Sequence, residues 1–150
     1  MCVFLAETWL KCDNDFALKS ATPTGYNSIN KPRINGKGGG IATIFQSGTN
    51  CRELNNENSY KSFEHQTLEI EINGTKCIFA VTYRVPPSKS NQIQKGAFLT
   101  EFAKYLEPIA MKKQSVIICG DFNIHWDNKA ASETKKNGGY FRFFWSFTTY

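Results

Sequence analysis

The side chains best suited to chemistry stand at the end of an apolar segment. In VIICGDFNIHWDN, residues 116–128, four apolar residues and a glycine are followed by Asp121 and Asn123. Side chains two positions apart on a strand point to the same side, so this carboxylate and this amide would be delivered together. Asp121 could then orient and deprotonate a water molecule, and Asn123 could bind a phosphate oxygen. Taken alone, the stretch fits equally well an Asx-turn in which both side chains satisfy their own backbone.

Two further strand-like segments also end in polar side chains. Glu7 directly follows the apolar segment 2–6, and a carboxylate in that place suits Mg²⁺, which prefers oxygen ligands. Tyr83 and Arg84 end the segment KCIFAVTYR, where a phenol and a guanidinium could bind phosphate. Considered singly, Glu7 is more often a solvated carboxylate and Tyr83 an aromatic residue at a sheet edge. Their occurrence together with the Gly-Asp-x-Asn stretch favours a site.

Periodicity and turn signals predict the elements that would position these residues. Residues 66–72 alternate apolar and acidic side chains, and the Asn-Gly pair that follows predicts a hairpin with a return strand over 76–84. Helical spacing of apolar residues predicts a helix over 91–107 that Pro108 ends. Further strands are predicted at 2–6, near 26–29, within 36–45 and at 116–119. Several strands with one helix and an antiparallel hairpin indicate an α/β or α+β fold.

Composition limits the class of protein. The 150 residues carry a net charge of +5 and a pI near 9.0, which suits a polyanionic partner such as nucleic acid. No apolar run reaches the ~20 residues of a membrane helix, and Glu7 interrupts the first apolar run too early for a secretory signal. The five cysteines lack paired motif spacing. We therefore expect reduced thiols packed in the core of an intracellular protein, nuclear or cytoplasmic.

Four motifs occur in one order along the chain: LAETWL, GGGIATIF, VTYRVPP and GDFN. This set, spread over residues 2–128, resembles the endonuclease/exonuclease/phosphatase superfamily, and most closely the endonuclease domains of non-LTR (LINE-type) retrotransposons. The resemblance implies an α/β (α+β) fold of two packed sheets flanked by helices, a deoxyribonuclease-like sandwich that is incomplete here. It also implies hydrolysis of a phosphodiester bond in DNA, nicking one strand with the help of Mg²⁺ or Mn²⁺.

The resemblance implies a role for each matched position. Glu7 matches the glutamate that binds the metal ion, and Tyr83 matches a tyrosine near the scissile phosphate. Asp121 matches the aspartate that positions the attacking water. Asn123 matches the asparagine that contacts the phosphate or supports that water.

Lys37, beside the glycines, does not form a phosphate-binding loop, because no Gly-Lys-Ser/Thr follows and a strand comes next.

The sequence also departs from that family. The family's metal-binding asparagine lies one strand before the position of Met1, and its later aspartate and histidine have no counterpart after Asn128. His65 is expected to be structural or exposed, and His125 does not match the catalytic histidine. We therefore expect the chain as given to be inactive. The alternatives are a basic remnant that only binds nucleic acid, and a phosphoinositide or sphingolipid phosphodiesterase of the same superfamily.

The chain is expected to divide into a partial domain over residues 1–136 and an aromatic tail over 137–150. The tail, NGGYFRFFWSFTTY, has neither helical nor strand periodicity. Shifting one allowed choice of its codons by a single base gives MEDISDSFGLSQH, which resembles the segment that follows GDFNIH in retrotransposon endonucleases. The tail is therefore expected to be either translated out of frame or an ordinary apolar segment packed on a sheet.

Overall fold

Two β-sheets packed face to face form the body of the protein in a computed structural model. The structure describes residues 1–33, 36–55, 58–86, 88, 95–123 and 145–147, with Lys95 and residues 145–147 described through their backbone alone. No helix within these ranges is long and apolar enough to cross a membrane. The predicted fold class, an α/β sandwich of two sheets, is confirmed.

The smaller sheet contains three antiparallel strands in the order β1-β3-β2. They are β1 (Cys2–Ala6), β2 (Tyr26–Lys31) and β3 (Ile41–Gln46). Strand β1 lies at the sheet edge, so it is less buried than its apolar run predicts, and Val3 is 40% exposed. A helix, α1 (Phe16–Ala21), lies in the segment 11–35 that the sequence predicts as a loop with one short strand. Its six residues bury only Leu18, which is too little periodicity to predict a helix.

The larger sheet contains five strands in the order β4-β5-β6-β7-β8. They are β4 (Cys51–Glu53), β5 (Phe63–Ile72), β6 (Thr75–Arg84), β7 (Ser115–Asp121) and β8 (Trp145–Phe147). The predicted hairpin is confirmed, since β5 and β6 pair antiparallel around Asn73 and Gly74. Strand β7 pairs parallel to β6 and antiparallel to the backbone of β8. The predicted domain boundary at 136 and the rest of the tail lie outside the described residues.

Helix α2 (Lys95–Ala110) connects β6 to β7 and covers the outer face of the larger sheet. The prediction that Pro108 ends this helix is wrong, because Pro108 lies inside it. A proline inside a helix has no N–H to donate, and its ring clashes with the backbone carbonyl of the residue one turn earlier. Only the last turn is affected here, and Ile109, 4% exposed, anchors that turn in the core. Residues 91–94, the predicted start of the helix, lie outside the described residues.

Alternation along β6 divides the core into two layers. Phe79, Val81 and Tyr83 face the smaller sheet, whereas Ile78 and Ala80 face α2. The layer between the sheets also contains Ile41, Leu68, Ile70 and Cys119, and the layer under the helix contains Phe63, Phe98, Tyr105 and Ile109. Odd-numbered residues at the carboxyl end of β6 therefore reach the edge where the two sheets meet.

His65 belongs to the layer under α2 and is structural, 7% exposed. Its ring centre lies 4.7 Å from that of Tyr105, and its Nε2 lies 3.3 Å from the Asn58 carbonyl oxygen. Burial, followed by the positive charge of Lys31, lowers the pKa of His65 to about 4. The imidazole is therefore neutral at physiological pH.

A pH titration of stability tests this environment. Because the pKa of His65 falls from 6.5 to about 4 on folding, the unfolded chain binds more protons in that interval. The free energy of unfolding then decreases as the pH falls, by roughly 2 kcal/mol between pH 7 and pH 5. Urea unfolding at the two pH values measures this loss. His65→Gln cannot titrate and should flatten the dependence, so an unchanged slope in that variant would contradict the burial of the imidazole.

Candidate active site

Strand register places three polar side chains in one row across the larger sheet. Glu64 pairs with Tyr83 in the β5–β6 hairpin, and Tyr83 pairs with Asp121 in the parallel β6–β7 ladder. Paired residues on neighbouring strands project from the same face, and such strands lie about 4.8 Å apart. Val81, two residues before Tyr83, packs between the sheets. The row therefore lies on the face that meets the smaller sheet.

Glu7 reaches this row from the smaller sheet. It follows β1 with a φ of +57°, a left-handed conformation uncommon outside glycine, and it is exposed. Burial and then the negative charge of the nearby Glu7 carboxylate raise the pKa of Tyr83 to about 12. Tyr83 is thus a neutral hydrogen-bond donor at neutral pH. The ends of β1, β6 and β7, distant along the chain, meet here.

The Asp121–Asn123 segment forms the Asx-turn that the sequence leaves open. The Asn123 backbone N–H donates to Asp121 Oδ1 at 3.0 Å, and Asn123 has a φ of +44°. The Asn123 Nδ2 donates to the Arg84 carbonyl oxygen at 2.7 Å. These bonds fix both side chains at the end of β7. They need neither the amide oxygen of Asn123 nor the second hydrogen of its NH₂ group.

Gly120 allows β6 and β7 to approach closely just before Asp121. Its φ is +139°, and a Cβ atom at this position would lie 1.8 Å from the Thr82 carbonyl oxygen. No side chain fits between the strands at that distance. The glycine of the Gly-Asp-x-Asn stretch is therefore required by backbone spacing.

Arg84 supports the Asx-turn from the α2 side of the larger sheet and does not reach the row. It is 3% exposed and donates to the carbonyl oxygens of Asn123 at 3.0 Å and Phe122 at 3.4 Å. Its guanidinium carbon lies 5.0 Å from the centre of the Phe98 ring, and burial lowers its pKa. The hypothesis that Arg84 binds phosphate is wrong, because even-numbered residues of β6 face α2.

Glu64, a member of the row, forms a charged pair with Arg33 that has no recognisable motif in the sequence. Glu64 accepts hydrogen bonds from Arg33 Nε and, at 2.6 Å, from the backbone N–H of Gly40. The Arg33 guanidinium carbon lies 5.9 Å from the centre of the Tyr83 ring. Glu64 could have been placed opposite Tyr83 from the register of an Asn-Gly hairpin alone. Arg33 lies in an irregular segment that carries no such signal.

The three consecutive glycines form a packing surface beside Glu7. Each lies against a different side chain: Gly38 against Trp9, Gly39 against Arg33 and Gly40 against Thr8. A Cβ atom at Gly39 would lie 2.3 Å from the Arg33 guanidinium. This segment therefore makes room for its neighbours, and the strand β3 follows it, as the sequence predicts.

Within the described part of the chain, no three His, Cys, Asp or Glu side chains form a group that could hold a metal ion. His65 faces α2, on the side of the larger sheet away from the row. His125 lies outside the described residues. All five cysteines are free thiols, but Cys12 is exposed, so the prediction of core thiols holds for buried Cys119 and not for Cys12.

The chain belongs to the Endonuclease/Exonuclease/phosphatase family, whose model matches residues 2–150. Among solved structures it is similar to the human Nocturnin catalytic domain with bound sulfate, at 20% identity and a TM-score of 0.56. It is also similar to truncated Caenorhabditis elegans TDP2, at 19% identity and a TM-score of 0.57. A family protein from Bacteroides thetaiotaomicron is similar at 17% identity and a TM-score of 0.51. Family members generally depend on a divalent metal ion.

The extent of these similarities limits what they establish. They cover 88%, 97% and 76% of this chain, and 56%, 70% and 47% of the Nocturnin, TDP2 and Bacteroides chains. The chain therefore spans about half the length of the Nocturnin domain. Identities near 20% establish a common fold and leave the substrate open. No curated protein sequence matches the chain.

Substitution of Gly120 tests the approach of β6 to β7. Gly120→Ala should lower the free energy of unfolding by roughly 3 kcal/mol or more, because the methyl group would overlap the Thr82 carbonyl oxygen. Gly48→Ala is the matched control, since Gly48 has a φ of +88° with no atom within 4 Å of its added Cβ. That variant should lose only about 1 kcal/mol in urea unfolding. Equal losses would contradict the close contact.

Substitution of Glu64 tests the charged pair. The Arg33 and Glu64 side chains are only 19% and 21% exposed, so Glu64→Gln leaves a mostly buried guanidinium without its counter-charge. We expect a loss of roughly 2 kcal/mol in the free energy of unfolding. Glu53→Gln alters a more exposed pair, in which the Lys31 side chain is 39% and the Glu53 side chain 27% exposed. It should lower the free energy of unfolding by roughly 0.5 kcal/mol. A Glu64→Gln loss no larger than that of Glu53→Gln would contradict the pairing.

Proposed function

We propose that this chain carries the site of a divalent-metal-dependent phosphodiester hydrolase that nicks DNA, of the type found in non-LTR retrotransposon endonuclease domains. One observation carries the proposal. Glu7 and Asp121 are both neighbours of Tyr83, Glu7 through its charge beside the hydroxyl and Asp121 through the β6–β7 register, although the three residues are far apart in sequence. Such a set combines a metal ligand, a hydrogen-bond donor and a base. Membership of a family of nucleases and phosphatases favours phosphoesters as the substrate class.

Glu7 would hold the metal ion, Mg²⁺ or Mn²⁺. Its exposed carboxylate supplies the hard oxygen ligands that these ions prefer. Mg²⁺ needs only one or two protein carboxylates when phosphate and water complete its coordination, so the residues present fit the ion. The bound ion would neutralise negative charge on the phosphate oxygens.

Tyr83, Asp121 and Asn123 would act on the phosphate and the water. With a pKa of about 12, Tyr83 keeps its proton and can donate a hydrogen bond to a phosphate oxygen. Asp121, held by the Asn123 backbone, would orient the attacking water and accept its proton. Asn123, anchored on Arg84, would contact the phosphate or support the water. In-line attack of that water on phosphorus would then break one strand.

DNA is the proposed partner because the chain is basic, with a net charge of +5. Neutralising phosphates releases counterions, so binding should weaken steeply as salt rises. The free thiols fit the proposed location inside the cell, in the nucleus or the cytoplasm. A module that binds nucleic acid without cleaving it remains the alternative outcome of the test.

Line broadening by Mn²⁺ tests the site without requiring turnover. With substoichiometric Mn²⁺ and a short DNA duplex, we expect selective loss of the backbone amide signals of Thr8, Tyr83 and Asp121, because paramagnetic broadening is confined to the neighbourhood of the ion. Glu7→Gln should abolish this pattern. Glu107→Gln, an exposed carboxylate on α2, should leave it unchanged. Broadening centred elsewhere, or unaffected by Glu7→Gln, would contradict the proposed metal site.

Nicking of supercoiled plasmid in Mg²⁺ is the second arm of the same test. The sequence predicts little or no nicking by the 150-residue chain. Nicking that both Glu7→Gln and Asp121→Asn abolish would correct that expectation and support the site. Nicking that persists in both variants would come from another source and contradict it. Salt-sensitive DNA binding with no response to Mn²⁺ would favour the binding module instead.

A further inference from the structure

Trp9 adopts a backbone conformation that a large side chain rarely tolerates. Its φ is +61°, in the left-handed region that glycine and asparagine enter most easily. Two backbone hydrogen bonds hold it there, from Trp9 N to the Gly39 carbonyl at 2.8 Å and from Thr8 N to the Gly40 carbonyl at 3.2 Å. Strain of this kind persists at functional sites when the surrounding structure enforces it.

The Trp9 indole packs on the glycine segment, residues 38–40, and leaves the rest of its surface exposed to solvent. A Cβ atom at Gly38 would lie 3.2 Å from both Cε2 and Cζ2 of Trp9, so the ring packs directly on the Gly38 backbone. Even so, Trp9 is 64% exposed, whereas tryptophan is usually well buried. The ring is thus supported on one side and open on the other. A supported aromatic ring with an open face is the geometry on which nucleobases stack.

The position of this ring links it to the site. Trp9 follows Glu7 by two residues, and the segment that supports it is tied to Glu64 through the Gly40 N–H. Glu64 in turn pairs with Tyr83 in the β5–β6 ladder. A nucleic acid whose phosphate lies at Glu7 and Tyr83 would therefore carry a neighbouring base past Trp9.

We propose that Trp9 is a stacking platform for an unpaired base next to the phosphate held at Glu7 and Tyr83. This proposal rests on the proposed function and makes it more specific. Aromatic stacking is indifferent to base identity, so Trp9 selects a strand whose base is accessible and does not read sequence. Within a duplex that base would have to leave its stack, which favours single-stranded or frayed DNA.

Trp9→Asn separates the platform from the fold. Asparagine removes the ring but tolerates a positive φ. The urea concentration at the midpoint of unfolding should therefore be at or above that of the wild type. Trp9→Phe keeps a smaller ring and should retain binding within about threefold. Met111→Asn is the control: Met111 is 83% exposed and precedes β7, whereas the site lies at the carboxyl end of that strand, about 20 Å away.

Binding is measured in EDTA, so that neither metal nor cleavage contributes, with a short oligothymidylate and an abasic strand of the same length and phosphate charge. We expect Trp9→Asn to weaken binding of the oligothymidylate roughly tenfold and to leave the abasic strand unaffected. Equal losses on both strands, no loss on either, or no binding of the oligothymidylate by the wild type would overturn the proposal. Because the readout is independent of Mn²⁺, failure of the metal site at Glu7 would be recognised separately.

Discussion

The site depends on the pairing of β6 with strands on both of its sides. The Asn-Gly turn fixes the antiparallel register with β5, which places Glu64 opposite Tyr83. The contact between Gly120 and the Thr82 carbonyl accompanies the parallel register with β7, which places Asp121 on the other side. A slip of one residue in either ladder would turn a whole strand over and send its polar residue to the opposite face. The row is therefore a product of backbone geometry.

The segments that complete the site are strained and are held by contacts outside it. In the described ranges four residues other than glycine have a positive φ, and three of them, Glu7, Trp9 and Asn123, lie around the row. The fourth, Asn73, lies in the hairpin turn. Each such residue costs of the order of 1–3 kcal/mol, which the surrounding structure must offset. The Arg33–Glu64 pair and buried Arg84 supply part of that support, since they tie the glycine segment and the Gly-Asp-x-Asn turn to the larger sheet.

Local signals in the sequence predict the sheets and the polar strand ends but not their supports. Apolar runs, alternation and one Asn-Gly pair suffice for β1, β5, β6 and β7, because burial and turn chemistry act within a few residues. Helix α1 is too short for its periodicity to be seen, and the helical turn beyond Pro108 survives through a tertiary contact of Ile109. Arg33 and Arg84 could not be assigned because their roles depend on long-range neighbours. Arg84 looks like a phosphate ligand until the face of β6 is known.

The most direct measurement of the central claim is anomalous diffraction from crystals of the chain soaked in Mn²⁺. We expect a single strong peak within bonding distance of a Glu7 carboxylate oxygen, on the side of the molecule that carries Tyr83 and Asp121. A peak remote from Glu7, or a structure in which Glu7 and Asp121 lie on different faces, would contradict it.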